Sequence, residues 1–317
     1  MPLRAPFPAP LRGVVPPLVT PLTAEGDVDV ASVRRLVGHL VGAGVHGLFL
    51  LGSSGEAAYL TDLQRRTALE AAVEAAAGRV PVLAGVIETT TARVLERAKD
   101  AVKAGAGALV ATAPFYTRTH PAEIETHFRR LRAGAELPVF AYDIPSAVHS
   151  KLRRDTVLAL SADGTLAGLK DSSGDEGSLR RLLGPLRAAA PAFTVLTGAE
   201  LTVDGALLAG VDGVVPGLGN VDARAYVRLY EAARAGDWAA ARREQDRLAA
   251  LFAIVDAGDP ARMGGSSSAL GAFKAAVHLQ GIIACPATAA PQLPLDAAET
   301  ARVRDRLTDA GLLPGGP

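Results

Sequence analysis

Lys170 ends a short apolar run, Leu166-Ala167-Gly168-Leu169-Lys170, and is followed by the small polar residues Asp171-Ser172-Ser173-Gly174. The chain holds five lysines against 28 arginines, so a lysine kept where a buried strand should end calls for a chemical reason. A low-dielectric site disfavours an ammonium and frees the amine to attack a carbonyl, which a guanidinium cannot do. The other reading is a lysine snorkelling at a strand end. Tyr142 closes another apolar run, in Tyr142-Asp143-Ile144-Pro145, and is one of five tyrosines. A phenol there can pass protons to and from a carbonyl oxygen or a carbinolamine, or it can be a core aromatic with a satisfied hydroxyl. Tyr116, in Pro114-Phe115-Tyr116, has the same two readings. Gly52-Ser53-Ser54-Gly55-Glu56 can turn tightly and present backbone N–H groups and two hydroxyls, a nest suited to a carboxylate, or it can be an ordinary turn with a serine cap. An amine, a phenol and an anion cradle together suit a 2-keto acid: the cradle holds the carboxylate, the lysine takes the ketone, the phenol moves protons.

Such groups need a scaffold that gathers them. Apolar runs at 14–22, 47–51, 80–86, 108–113, 138–142, 165–170, 193–197 and 211–215 alternate with helix patterns at 30–43, 63–77, 91–104, 122–133, 154–161, 176–189 and 201–208. Continuous rather than alternating apolar strands imply a sheet buried on both faces, hence parallel. Eight such units read as an α/β fold, a (β/α)₈ TIM barrel, with a doubly wound sheet as competitor. No G-x-G-x-x-G follows the first strand, which disfavours a dinucleotide-binding version. After Gly219 only helices are expected, at 223–235, 238–257, 266–280 and 296–310, with Asp237 and Asp296 as N-caps. The expected organisation is an irregular proline-rich arm over 1–10, the barrel over 11–235, and a C-terminal helical extension over 236–317 whose last residues, 314–317, fray. In a barrel of this kind catalytic groups lie at the C-terminal strand ends, which adds Glu200 after strand seven and Val215 at the end of strand eight to the candidates.

The order Gly-Ser-Ser-Gly-Glu, Pro-Phe-Tyr, Tyr-Asp-Ile-Pro, Gly-Leu-Lys-Asp resembles the dihydrodipicolinate synthase / N-acetylneuraminate lyase superfamily over about residues 11 to 313. The resemblance implies a pyruvate-handling class I lyase or aldolase on a (β/α)₈ barrel. It implies a Schiff base on Lys170, Tyr142 as general acid/base, and Ser53 and Ser54, with Gly52, as carboxylate binders and proton relay. It implies that Tyr116 reaches a neighbouring subunit's site, hence a homodimer or homotetramer, and that the Val215 carbonyl faces the catalytic centre. Glu200 is expected to accept hydrogen bonds from substrate hydroxyls.

The chain departs from the lysine-pathway branch. Where dihydrodipicolinate synthases carry an arginine for the carboxylate of aspartate semialdehyde, the stretch Pro145-Ser146-Ala147-Val148-His149 places Ala147. Losing a bidentate clamp weakens recognition of a carboxylated aldehyde, unless Arg118 or His149 compensates. The residues after strands seven and eight match N-acetylneuraminate lyases only in part. Lys-Asp-Ser-Ser-Gly-Asp resembles the corresponding stretch of 2-keto-3-deoxy sugar acid aldolase branches, and this resemblance implies an aldolase of that type. The alternatives are 4-hydroxy-tetrahydrodipicolinate synthase, a keto-acid dehydratase with the same lysine and tyrosine, and a non-catalytic binding paralogue.

Zero formal net charge gives no general attraction to nucleic acid or acidic membranes. No window approaches a membrane span, and the proline-rich start does not suit a signal peptide. A single cysteine, Cys285, excludes an internal disulfide and fits a reducing cytoplasm. The six histidines show no ligand spacing, so neither a metal nor another cofactor is expected. The expected partner is a small molecule, pyruvate or a 2-keto acid plus an aldehyde.

Overall fold

The computed structural model describes residues 7–314, so most of the expected N-terminal arm and C-terminal end lie outside the described residues. Eight strands form one parallel sheet: β1 (Gly13–Val14), β2 (Leu48–Leu50), β3 (Val82–Gly85), β4 (Ala108–Thr112), β5 (Val139–Asp143), β6 (Gly168–Asp171), β7 (Thr194–Thr197) and β8 (Gly213–Val214). They run in the order β1-β8-β7-β6-β5-β4-β3-β2. The ring closes between the ends of that order: Leu18 N–H donates to the Phe49 carbonyl (2.8 Å), and Phe49 N–H donates to the Pro16 carbonyl (2.9 Å). This is the (β/α)₈ barrel.

The first apolar run, 14–22, is far longer than the two-residue strand it yields. Pro16, Pro17 and Pro21 have no N–H to give a ladder, so the segment stays buried but pairs only at scattered points.

The apolar runs are continuous because the strands are covered on both faces. On β4, Ala108 and Val110 point into the barrel with Phe49, Leu83, Phe140 and Leu196, while Leu109 and Ala111 face the helices. Gly168 is part of the interior packing, since a Cβ there would lie 2.3 Å from the Phe140 ring. From the amino-terminal side, Phe7 packs edge-on against Phe140, at 5.7 Å between centroids.

The helices follow the expected pattern within a residue or two, from Val30–Gly42 to Val203–Ala209. One short helix, Pro145–Val148, was not expected; Pro145 starts it with a preset φ, right after β5. Ala223–Arg234, Trp238–Phe252, Gly265–Leu279 and Ala297–Asp309 complete the chain. Asp237 and Asp296 do cap their helices, accepting from Ala240 N–H and Glu299 N–H. The helix expected over 238–257 stops at Phe252 and tightens into a 3₁₀ turn, Ala253–Asp256. Gly265–Leu279 is buried along almost its whole circumference and lies over the C-terminal mouth of the barrel through Leu270 and Phe273. Among the described residues no helix is long and apolar enough to cross a membrane.

Candidate active site

Parallel register puts Thr112 of β4, Tyr142 of β5 and Lys170 of β6 side by side in one row. All three continue the inward-facing alternation of their strands. The next residues, Asp143 and Asp171, take the opposite face, where Lys151 pairs with Asp143 and lies 4.0 Å from Asp171. Pleat alternation thus sorts the ends of β5 and β6 into a phenol or amine inside and a carboxylate outside.

Lys170 is buried, with its Nζ 3.9 Å from the centroid of the Tyr142 ring and 5.0 Å from that of Phe49. The Tyr142 hydroxyl and the Ser53 hydroxyl are 3.3 Å apart. Burial pushes the Tyr142 phenol up, but the Lys170 charge and hydrogen bonds with Ser53, Lys170 and Ser172 outweigh it, leaving the phenol below its ordinary value. A phenol shifted that way parts with its proton more readily near neutral pH.

The cradle leaves β2 through Leu51 and returns through Glu56, both at positive φ (58° and 57°). Glu56 N–H donates to the Ser53 carbonyl (3.0 Å), and Thr20 Oγ1 donates to the Gly55 carbonyl (2.8 Å). Gly52 sits so close to the Phe49 ring that a Cβ would lie 2.6 Å from it. Ser53 and Ser54 therefore open toward the row rather than into the core. They line a cavity of about 350 Å³ with Gly52, Thr112 and Tyr142.

Ala147, on the short helix Pro145–Val148, lines the same cavity. Among the described residues no arginine, lysine or histidine does: Lys170 is packed against the ring of Tyr142, which does line it, and Arg118 and His149 are exposed. Among the described residues Glu56 is the one carboxylate in the wall, and it is ion-paired to Lys274 of Gly265–Leu279, both side chains fully buried.

The remaining expected residues are placed as follows. Val215 is buried at the end of β8, its N–H donating to the Thr197 carbonyl (2.8 Å). The Glu200 carboxyl accepts from Gly217 N–H (2.9 Å), Leu218 N–H (2.9 Å) and the Tyr226 hydroxyl (3.0 Å), so its oxygens are engaged by the protein. Burial raises it to about 7, against the pull of those three donors and of Lys170. Tyr116 is not brought to the row: it is 92% exposed, at φ 79°, on the loop after β4. The structure thus gathers Lys170, Tyr142, Ser53, Ser54 and Gly52, and leaves Tyr116 exposed and outside the lining of this cavity.

Sequence reasoning missed Thr112, the Glu56–Lys274 pair and Gln292, which also lines the cavity. Lys274 did leave a signal, a lysine inside Gly-Ala-Phe-Lys-Ala-Ala-Val of an arginine-rich chain. A second cavity, about 280 Å³ around Arg12, Arg187 and Asp212, lies at the opposite, N-terminal end of the strands, away from this chemistry. Among the described residues no group of three or more His, Cys, Asp or Glu side chains is arranged to hold a metal ion.

The model of the Dihydrodipicolinate synthetase family matches residues 10–310. The chain is similar to an uncharacterized DapA-like lyase of Halobacterium salinarum, 36% identical over 99% of this chain and 100% of the relative. It is 31% identical to an Escherichia coli (strain K12) protein described as a probable 2-dehydro-3-deoxy-D-pentonate aldolase, YjhH, over 76% of this chain and 81% of the relative. Among solved structures it is similar to YagE from E. coli K12, a prophage protein of the dihydrodipicolinic acid synthase family in complex with pyruvate. The TM-score is 0.88 at 29% identity, covering 95% of this chain and 99% of that one.

Proposed function

The chain belongs to the dihydrodipicolinate synthetase family and is a lyase of that family, and from this premise we propose that Lys170 forms a Schiff base with a 2-keto acid, with pyruvate as donor or product. The observation that carries this is the Lys170 amine buried 3.9 Å over the ring of a phenol that is itself within reach of a cradle hydroxyl.

In the cleavage direction the steps are these. The cradle N–H groups and the Ser53 and Ser54 hydroxyls hold the carboxylate. The Lys170 Nζ adds to the C2 carbonyl; Tyr142 protonates the departing hydroxyl, and water leaves to give the imine. Tyr142, now a phenolate, takes the proton of the C4 hydroxyl. The C3–C4 bond breaks, its electron pair enters the imine as an enamine, and C4 leaves as an aldehyde. Protonation of C3 and hydrolysis release pyruvate. Ser53 relays protons between Tyr142 and the substrate, and the Val215 carbonyl borders the reacting centre. Condensation is the same path reversed.

The substrate class we propose is a 2-keto-3-deoxy sugar acid, with a neutral aldehyde as the partner. What supports it over 4-hydroxy-tetrahydrodipicolinate synthesis is Ala147 together with a wall that holds no cation for a second carboxylate. Similarity to YjhH points the same way. Tyr116, exposed on its loop, fits the role of reaching a neighbour's cavity in a homodimer or homotetramer.

The test of the covalent step is borohydride reduction in the presence of pyruvate. A reduced adduct is expected on Lys170 and is expected to be lost in Lys170→Arg, since arginine stays protonated. An intact mass unchanged by pyruvate and borohydride would remove the mechanism.

A further inference from the structure

Two residues that line the cavity, one beside Tyr142 and one on a distant strap, carry buried polar atoms with no hydrogen-bond partner among the described residues. Gln292 is 8% exposed, and neither its side-chain oxygen nor its nitrogen has a hydrogen-bond partner among the described residues. Thr112 is 2% exposed, and its hydroxyl likewise has none. Both line the cavity that Tyr142 lines, Thr112 as the direct neighbour of Tyr142 in the sheet. Buried amides and hydroxyls are costly to leave unpaired, so their natural partner is what enters the cavity.

Gln292 arrives there by a defined route. It belongs to the strap between the helices Gly265–Leu279 and Ala297–Asp309. Lys274 donates to the Ala287 carbonyl (2.7 Å) and pairs with Glu56, while Ala289 N–H donates to Glu56 Oε1 (2.7 Å). Glu56 closes the carboxylate cradle, so one buried ion pair ties the strap to the cradle. Gln292 N–H then donates to the Ala289 carbonyl (3.1 Å), which turns the chain back toward the barrel mouth.

We propose that Gln292 and Thr112 read hydroxyl groups on the aldehyde-derived part of the substrate, which makes the strap the specificity element of the site. The inference rests on the aldolase reading of Lys170. An amide offers one acceptor and one donor group, and a hydroxyl is both, so the pair fits a neutral chain bearing more than one hydroxyl. A carboxylate would meet the amide oxygen and no cation, since Glu56 already takes up Lys274. A bare alkyl chain would leave the amide and the Thr112 hydroxyl unpaired.

The experiment uses pyruvate with two aldehydes of equal carbon count, glyceraldehyde and propanal, on the full chain. In Gln292→Leu, kcat/KM for glyceraldehyde is expected to fall roughly 10- to 100-fold, while that for propanal stays within about threefold of wild type or rises. Thr112→Val, which keeps the shape, is expected to fall in the same direction by about fivefold or more. Borohydride trapping with pyruvate alone, measured on each variant, reports an intact barrel and amine. Equal losses for both aldehydes with trapping intact overturn the proposal and leave Gln292 a packing residue. Trapping intact with no condensation of either aldehyde by the wild type overturns it too. Absence of trapping in the wild type overturns the aldolase reading and this inference with it.

Discussion

The inner and outer ends of the cavity are built differently. At the inner end, Tyr142 and Ser53 line the cavity and Lys170 packs against the Tyr142 ring; all three sit on or shortly after strands, and each is partnered by another member of the group. At the outer end, Gln292 comes from a strap more than a hundred residues further along the chain, and its amide has no protein partner among the described residues. Sheet register fixes side-chain positions tightly, which suits bond-making groups that must keep one geometry. A strap held by a few anchors can vary in sequence without moving the strands. The inner end therefore answers to the reaction, which is shared among substrates, and the outer end to what differs between them.

That division predicts how variants sort. A change at the inner end acts on every aldehyde alike. Tyr142→Phe removes one hydroxyl from a well-packed ring and is expected to slow turnover by about 10²–10⁴, as for loss of a general acid/base. The ratio of rates for glyceraldehyde and propanal is expected to stay near that of wild type. Turnover within about threefold of wild type would show that another group moves the proton. A selective loss for one aldehyde would instead dissolve the distinction between the two ends.

The anchor between the ends comes next in size. Lys274→Met leaves Glu56 as a buried, unpaired carboxylate, a change that generally costs about 3–5 kcal/mol. Urea denaturation would measure the loss. Because the same lysine holds the Ala287 carbonyl, aldehyde selectivity is expected to shift as well. Lys274→Met combined with Glu56→Gln removes both charges and is expected to recover part of the stability without restoring selectivity. A Lys274→Met protein with wild-type stability would mean that the pair anchors nothing.

The same division explains what could be seen in the sequence. Lys170 and Tyr142 were visible because each ends an apolar run, and a (β/α)₈ barrel turns that local fact into a shared location. The carboxylate cradle was visible as glycines around two serines. The strap has no periodicity to read: Pro286, Pro291 and Pro294 break any pattern, and Gln292 gains its place only through long-range anchoring. Thr112 looks like any strand threonine until register sets it beside Tyr142. The first strand was read too long because its prolines belong to a buried segment yet cannot form a ladder. Tyr116 is exposed, and its proposed use needs a second copy that one sequence does not display.

Ala147 tests whether the outer end can be retuned without touching the inner one. It lines the cavity from a short exposed helix, so an arginine can be accommodated with its head over the mouth. Ala147→Arg is expected to raise kcat/KM for aspartate semialdehyde relative to glyceraldehyde by about 10- to 100-fold, the effect of one charge-assisted contact of roughly 1.5–3 kcal/mol. Steady-state kinetics on both aldehydes decide it. Efficient use of aspartate semialdehyde by the wild type would instead return the chain to the lysine-pathway activity.

The smallest expected effect separates two glutamates near the site, the fully buried Glu56 and the half-buried Glu200. Glu56 is balanced by Lys274, whereas Glu200 is raised by burial from 4.5 to about 7 and is balanced by a proton. Between those two values the folded protein binds more protons at Glu200 than the unfolded chain does. Its stabilising contribution is therefore complete below 4.5 and is lost as the pH rises through about 7, at a rate of about 1 kcal/mol per pH unit inside the window. His127 works against this. Burial lowers it to about 4, so its contribution grows as pH rises from there toward 6.5. The wild-type slope alone thus mixes opposing terms, and the comparison with Glu200→Gln isolates one of them. Glutamine cannot titrate, and its NH₂ faces a backbone N–H, so the variant is expected to be less stable overall. Between pH 5.5 and 6.5, urea denaturation is expected to show wild type losing about 1 kcal/mol relative to the variant. Parallel stability curves over that unit would mean that Glu200 is already ionised and that the three donors around it, rather than a proton, hold its charge.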